Sequence, residues 1–331
     1  MLRPGIAVVT RKTRYKGLLE RWGTKGQAKF GLRQMRLREL ARARPDVSLR
    51  QAALDEAEAE EDFLEYEEED QAYEHTLERL ERDLDLGLPL LFVDRQYLPT
   101  FNFRNCEVVV VVGQDGLVAN TAKYVGDKPI VAVNPDPERI DGILLPFKTR
   151  QARQAVRATL DGKARSRLVT LAEALLDDGQ RMLAFNDFFV GAASHVSARY
   201  TLRVQDRAEP QSSSGVLVST GAGSTGWLSS VFNMADGLDA WRGIEPRERP
   251  RLEWDDPRLV WAVREPFVSK HSQASLVAGL LEQDQELIVE SQMPEGGVIF
   301  SDGIESDFLQ FTSGTIARLF ASQQRARLVV G

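Results

Sequence analysis

Five consecutive valines, Val108 to Val112, stop abruptly at Gly113-Gln114-Asp115-Gly116. A run that is apolar at every position fits a strand covered on both faces, as in a parallel sheet; alternation would mean one wet face. Gly5 to Thr10 (GIAVVT), Leu88 to Val93 and Pro129 to Val133 read as further strands, and Leu117 to Val125 as a short helix. Residues 17–86 carry a helical pattern, with Tyr73, Leu77, Leu80 and Leu84 as a core-facing stripe and expected breaks near Gly23, Gly26, Gly31 and Pro45. Strand, helical insert, strand, strand, helix, strand predicts an α/β domain with a doubly wound, largely parallel sheet over residues 1–147.

After Phe147 the pattern changes. Residues 150–181 start helical and turn polar. From Leu183 onward come short strand-like runs: AFNDFFVG, ARYTLRV, GVLVST, RLVWAV, QELIVES, GVIFSDG and IARLFAS. Turn residues separate many of them, which predicts a β-sandwich-like domain over residues 148–316, with a polar insertion of loop and helix at 233–258.

The 331 residues suffice for two modest domains. One cysteine, Cys106, excludes an internal disulfide framework. No apolar run approaches the roughly 20 residues that span a bilayer, and the chain opens on a strand instead of an apolar leader. The expectation is a cytoplasmic protein with no membrane partner. The net charge of −7 gives no support for a nucleic-acid partner. That charge is unevenly spread. Arg33, Arg36, Arg38, Arg42 and Arg44 crowd one segment, while Asp55 to Asp70 contains no lysine or arginine. The two blocks either pair as helices, within one chain or across a dimer, or present solvated faces.

Three segments carry candidate chemistry. Gly113 and Gly116 let backbone N–H groups approach a phosphate, and Asp115 between them is placed to take a proton from a hydroxyl or to cap the following helix. Gly215 to Trp227 (GVLVSTGAGSTGW) runs from a strand into small and hydroxyl residues and then an aromatic, a loop suited to a nucleotide's polar groups with Trp227 packed on a base. Asn186-Asp187, set between Phe185 and Phe188, suits the paired hydroxyls of a ribose or opens a strand as an Asx turn. Lys12 and Arg14 follow the first strand, at the edge where α/β sheets bind ligands, and with Arg199 and Arg264 are the candidate phosphate contacts. His75, His195 and His271 are scattered, and no cluster has metal-ligand spacing, so no fixed metal site is expected.

In this order, the segments resemble the NAD kinase family, within the superfamily that includes diacylglycerol and sphingosine kinases. The family loop GGDGT is GQDGL here; its Asn-Glu pair corresponds to Asn186-Asp187; its TGST-A-aromatic loop corresponds to Gly223-Ser224-Thr225-Gly226-Trp227. KTRYKGLLER (Lys12 to Arg21), VNPDPERIDG (Val133 to Gly142), SSG (Ser213 to Gly215), REP (Arg264 to Pro266) and SDG (Ser301 to Gly303) are similar to the mitochondrial-type branch.

The resemblance implies a phosphotransferase that moves the terminal phosphate of ATP to the 2′-hydroxyl of the adenosine ribose of NAD. It also implies an active site between the two domains and a final segment, 317–331, returning to the first domain. Mg²⁺ would arrive with ATP. Asp115 would be the catalytic carboxylate. Gly116, Asn186, Asp187, Ser224, Thr225 and Trp227 would hold the dinucleotide, and Gly113, Gln114, Lys12, Arg14, Arg199 and Gly223 the phosphates. A homodimer is the implied assembly.

Several positions depart from the family pattern. Gln114 stands where the family has glycine, and would strain the backbone if φ must be positive or fill phosphate space if it need not be. Leu117 removes a hydroxyl, Asp187 is one methylene shorter than the family glutamate, and Gly226 replaces an alanine. The alternatives are therefore an NAD(P)(H)-binding pseudo-kinase and a kinase of the same superfamily with a different acceptor.

Overall fold

A computed structural model describes residues 4–43, 49–245 and 248–331. Arg44 and the expected break at Pro45 lie outside the described residues. The chain forms two compact units, one of Met1–Leu117, Val131–Lys163 and Gly331, the other of Val118–Ile130 and Ala164–Val330.

In the first unit, strands β1 (Gly5–Thr10), β2 (Leu90–Asp94), β3 (Cys106–Val112), β4 (Pro129–Asn134) and β5 (Phe147–Lys148) alternate with helices α1 (Arg14–Trp22), α2 (Lys25–Ala43), α3 (Leu49–Asp83), α4 (Asp115–Ala122) and α5 (Thr149–Leu160). The strands lie side by side in the order β2-β1-β3-β4, and β1 runs parallel to both β2 and β3. All five valines of β3 are fully buried, as the unbroken apolar run requires. Val118 to Ala122 of α4 and Pro129 and Ile130 of β4 belong to the second unit, where Pro129 and Ile130 pair with Arg327 and Leu328.

The helical insert departs from expectation at two glycines. Gly26 and Gly31 sit inside α2 and do not break it. A Cβ at Gly31 would lie 2.4 Å from the Trp22 ring, so the glycine serves close packing of α1 on α2. Ala28, Leu32 and Phe63 are buried together, with Tyr15, Leu18, Leu19, Trp22 and Tyr66 packed around them. Among the described side chains, basic and acidic segments pair within the chain: Lys16 with Glu74 and Lys25 with Glu67 at 2.5 Å, and Arg36 with Asp62 at 2.7 Å. Such exposed pairs are each worth under about 1 kcal/mol, whereas burying a side chain such as Phe63 is worth about 1.5–3 kcal/mol. The apolar seam therefore supplies the stability and the charges choose the partner.

The second unit is a sandwich of two sheets plus helix α6 (Trp227–Trp241). Its strands are β6 (Ser166–Leu176), β7 (Arg181–Ala184), β8 (Asp187–Ala192), β9 (Ala198–Val204), β10 (Arg207–Ser213), β11 (Val216–Ser219), β12 (Leu259–Val263), β13 (Ala278–Leu281), β14 (Leu287–Ser291), β15 (Gly297–Ser301), β16 (Phe308–Gln310) and β17 (Ile316–Val329). One sheet joins β10-β9-β14-β17 with β6 and β7, and the other has the order β13-β12-β11-β8-β15-β16. Tyr200, Leu202, Leu287 and Leu319 of the first face Phe188, Val218, Trp261 and Ile299 of the second in one buried cluster.

Two stretches differ from the sequence expectation. Residues 150–181 hold only one helix, α5; β6 follows, because Val169, Thr170 and their neighbours pair with β17 over ten positions. Alanine, leucine and glutamate favour helix locally, and the long antiparallel ladder overrides them. The run AFNDFFVG is not one strand. It breaks at Phe185-Asn186, where the chain leaves β7 in one sheet and enters β8 in the other.

Candidate functional site

In the first unit, the buried strand β3 delivers Gly113-Gln114 to the start of α4, which begins at Asp115 and not at Leu117 as the sequence pattern indicates. Asp115 is half-buried and does not cap its own helix. Its two carboxylate oxygens accept the backbone N–H groups of Ile143 (3.1 Å) and Leu144 (2.9 Å). The loop that supplies them is folded by Asn134, which accepts from the N–H of Asp136 (3.0 Å) and donates to the carbonyl of Ile140 (2.8 Å). Charge-assisted bonds from two fixed amides hold the carboxylate in one orientation.

Gln114 is not among the positive-φ residues, so the backbone here does not demand glycine. Its side chain instead lines a cavity of about 340 Å³, together with Arg11, Arg14, Glu69, Tyr73 and Arg139. Tyr73 anchors this wall. Its hydroxyl accepts the N–H of Arg11 and donates to the carbonyl of Val112, both at 2.9 Å, tying α3 to the ends of β1 and β3. Burial pushes the Tyr73 phenol up to about 12, so it stays a donor.

The cations of this wall are already engaged. Arg11 meets Glu69 at 2.5 Å; Arg14 meets Glu69 at 2.7 Å and Glu65 at 2.9 Å; Arg139 meets Asp136 at 2.9 Å. Three guanidinium groups face three carboxylates, so the cavity carries no net positive charge. Burial raises Glu69, but hydrogen bonds from Arg11 and Arg14 outweigh it and hold its carboxyl below the usual range. Lys12 is exposed and bonds Glu20 at 2.6 Å, away from the cavity lining.

In the second unit, the corner at Phe185-Asn186 gathers another group. The Asn186 carbonyl accepts from the Thr220 N–H (2.9 Å) and from the hydroxyls of Thr220 (3.2 Å) and Ser219 (3.4 Å). Gly223 packs against the same carbonyl; a Cβ there would lie 2.2 Å from it. From the far side, the Asp302 carboxylate accepts the N–H groups of Asn186 (2.6 Å) and Phe185 (3.1 Å). Asp187 is 6% exposed, and among the described residues nothing donates to its carboxyl or bonds the Asn186 side-chain amide. Burial, with the Asp302 charge adding to it, pushes Asp187 up to about 7. A buried carboxyl without a partner is a group waiting for donors.

The loop after β11 thus brings Asn186, Gly223 and Ser224 into one neighbourhood, with the Ser224 hydroxyl on the carbonyl of Gly221 at 2.7 Å. Thr225 is exposed. Trp227 stacks on Phe189 at 5.7 Å, with the Arg264 guanidinium 5.1 Å over its ring. Arg199 stands apart from this group: it is exposed on β9, in the other sheet. Gly113, Gln114, Asp115, Gly116 and Arg14 cluster in the first unit. Sequence reasoning gave no role to Arg11, Arg139, Lys123 or Asp302. Arg139 lies in the quoted segment VNPDPERIDG and Asp302 in SDG, and Arg11 directly follows the first strand, but the partners of Arg11 and Asp302 are distant in sequence.

No family model matches the chain. It is 25% identical over 265 residues to NAD kinase 2, mitochondrial, of Rattus norvegicus, covering 60% of this chain and 62% of that protein. The Homo sapiens protein of the same name matches equally, at 25% over 265 residues, with 60% and 59% covered. A probable NADH kinase of Oryza sativa subsp. japonica is 25% identical over 218 residues, with 59% and 62% covered. The chain spans about three-fifths of the length of these curated relatives. Among solved structures, yeast NADH kinase complexed with NADH has a TM-score of 0.56 at 15% identity, covering 99% of this chain and 84% of that one. An NAD kinase from Archaeoglobus fulgidus in complex with ATP has a TM-score of 0.50 at 17% identity, covering 77% and 88%. At such identity the two structures establish the shared fold. Among the described residues no helix is long and apolar enough to cross a membrane.

Proposed function

We propose that the chain is a member of the NAD kinase family, to whose curated members it is similar, and that it phosphorylates the 2′-hydroxyl of the adenosine ribose of NAD or NADH. The donor is ATP, with Mg²⁺ entering as part of that substrate. The observation that carries the reading is the half-buried Asp115 carboxylate, oriented by the Ile143 and Leu144 amides at a glycine-bounded turn from a buried strand into a helix.

In the proposed step, Asp115 accepts the proton of the 2′-hydroxyl late. The ribose oxygen forms a bond to the terminal phosphorus as the bond from that phosphorus to the ADP oxygen breaks, and ADP leaves. Positioning supplies most of the acceleration. Asn186, Asp187, Ser224, Thr225 and Trp227 hold the dinucleotide; the unpartnered Asp187 carboxyl and Asn186 amide support that role, because ribose hydroxyls supply the donors and acceptors that the protein withholds. Gly116 is assigned to the dinucleotide as well, and Gly113, Gln114, Arg14 and Gly223 to the phosphates. Lys12 and Arg199 are the weaker assignments, one being paired with Glu20 and the other exposed on β9. NADH is included as acceptor because two of the similar proteins are named NADH kinases. A homodimer and a cytoplasmic location complete this reading.

One observation favours a second reading, an NAD(P)(H)-binding protein of low turnover. Gln114 occupies cavity space, and the surrounding arginines are matched by carboxylates. A triphosphate entering there must displace those ion pairs.

The test is NADP(H) formation from NAD or NADH with ATP and Mg²⁺, beside Asp115→Asn. The expected result is turnover that falls about 10²-fold or more in the variant, with nucleotide binding retained. Dinucleotide binding without turnover by the unaltered protein would establish the second reading instead.

A further inference from the structure

Asn186 and Asp187 lie at one of the points where the chain changes sheet, from β7 to β8, and no ladder fixes the backbone between Ala184 and Asp187. Yet a site that discriminates a ribose must hold its contact groups to within about half an ångström. The carbonyls of Phe185 and Asn186 accept from Thr220 and Ser219, and the N–H groups of the corner are held by a side chain 116 positions away. Asp302 accepts the N–H groups of Phe185 and Asn186, one on each carboxylate oxygen, and its own N–H donates to the carbonyl of Asp187 at 3.0 Å. Three bonds from one residue thus clasp three successive residues of the corner.

The carboxylate is itself fixed. Its side chain is 2% exposed, and Lys123, equally enclosed, brings its ammonium to 3.7 Å while donating to the Ser301 hydroxyl at 2.8 Å. Asp302 stands in the left-handed region at φ 54°, directly after β15, which turns its side chain back toward the corner. Complete burial raises the Asp302 carboxyl, opposed by the Lys123 ammonium and by the N–H groups of Asn186 and Phe185. A buried ion pair of this kind is a weak source of net stability and a plausible source of specificity in geometry.

Resting on the reading of Asn186 and Asp187 as dinucleotide contacts, we infer that Asp302, with Lys123 as its counter-ion, is the positioning residue that sets the dinucleotide-binding corner. It touches no substrate. It fixes where the Asn186 amide and the Asp187 carboxyl point, and Lys123 prevents the Asp302 carboxylate from being abandoned in a buried site or from turning away.

The test compares Asp302→Asn, Lys123→Met and the double variant with Tyr124→Phe. Asparagine tolerates the left-handed backbone and keeps the volume, but retains only one acceptor oxygen for two N–H groups. The double variant removes both buried charges together, so it leaves no uncompensated charge in the site. Tyr124→Phe removes a neighbouring bond, from Tyr124 to Asp307, that does not reach the corner. Two readouts are taken: NADH binding by calorimetry, and amide hydrogen exchange at Phe185 and Asn186.

Asp302→Asn and the double variant are expected to lose about 10- to 100-fold in NADH affinity and to lose exchange protection at both amides. In turnover the loss falls mainly on KM for the dinucleotide. Tyr124→Phe should change neither readout. Affinity unchanged in Asp302→Asn, or reduced equally by Tyr124→Phe, overturns the inference. Failure of the kinase reading is separable: Asp302→Asn then still exposes the two amides, while the unaltered protein binds no NADH.

Discussion

Replacing Gly223 by alanine adds one methyl group at a position where its Cβ would lie 2.2 Å from the carbonyl oxygen of Asn186 and 2.7 Å from the Ser219 hydroxyl. Ordinary contact begins near 3.4 Å, so either the loop or the corner must move by about an ångström. Neither is a pliant side-chain tip. The carbonyl is held by three donors, from Thr220 and Ser219, and the loop by the bond from the Gly223 N–H to the Thr220 hydroxyl at 3.2 Å. Overpacking against backbone of this kind costs about 3 kcal/mol, the upper part of the usual range. For a unit of this size that lowers Tm by roughly 6–12 °C.

The control lies three residues on. A Cβ at Gly226 meets only the Gly223 carbonyl, at 3.4 Å, so Gly226→Ala should stay within about 0.5–1 kcal/mol of the parent. Thermal unfolding of both variants, with NADH calorimetry on each, reads the effect. Gly223→Ala is expected to lose binding as well as stability, because the residue that yields is Asn186. Equal melting of Gly223→Ala and the parent, or an equal fall in Gly226→Ala, would refute the argument that the loop's glycine exists for the corner.

Two further predictions concern the site's chemistry. Asp187 is raised from 3.8 to about 7, so between those values the folded chain keeps a proton that the unfolded chain has lost; its contribution to stability therefore falls as pH rises from about 4 to 7. A ribose hydroxyl donates to the ionised form, so NADH affinity should rise about tenfold between pH 6 and 8, and Asp187→Asn should abolish that dependence; the same slope in the variant would assign it to another group. Gln114→Gly should cost no more than about 1 kcal/mol in thermal stability, since the backbone at 114 is not left-handed, and should lower KM for ATP by vacating the cavity. An unchanged or higher KM would mean that Gln114 contributes to binding instead of obstructing it.

The parts of this protein that its sequence discloses are those decided by local burial. Val108 to Val112 fit a strand enclosed on both faces, and the glycines and carboxylate that follow it form a turn into a helix, as the structure has it. Along the predicted stripe Tyr73 and Leu80 of α3 and Leu84 just past its end are buried, and Leu77 is half-buried. The charged blocks were legible as partners, but two separate helices can meet within a chain or between chains with the same charges. Only the seam of Ala28, Leu32 and Phe63, assembled in three dimensions, makes the pairing internal.

What the sequence left hidden depends on contacts between distant residues. The stretch from Ser166 to Leu176 has the composition of a helix and becomes a strand because β17, about 150 positions later, offers a ladder. AFNDFFVG looks like one strand, and it breaks because Asp302 and Thr220 supply bonds at Phe185 and Asn186 that a straight strand would refuse. The same logic applies to chemistry. Hydropathy and glycine spacing determined that Asp115 would stand at a strand-to-helix turn and that Asn186-Asp187 would be a polar pair among aromatics. Tertiary structure alone decided that Asp115 is oriented by Ile143 and Leu144, that Arg11 and Arg14 face Glu69, and that Asp187 is left without a donor. Periodicity records how much of each residue is covered, while a hydrogen bond or an ion pair depends on which residue does the covering.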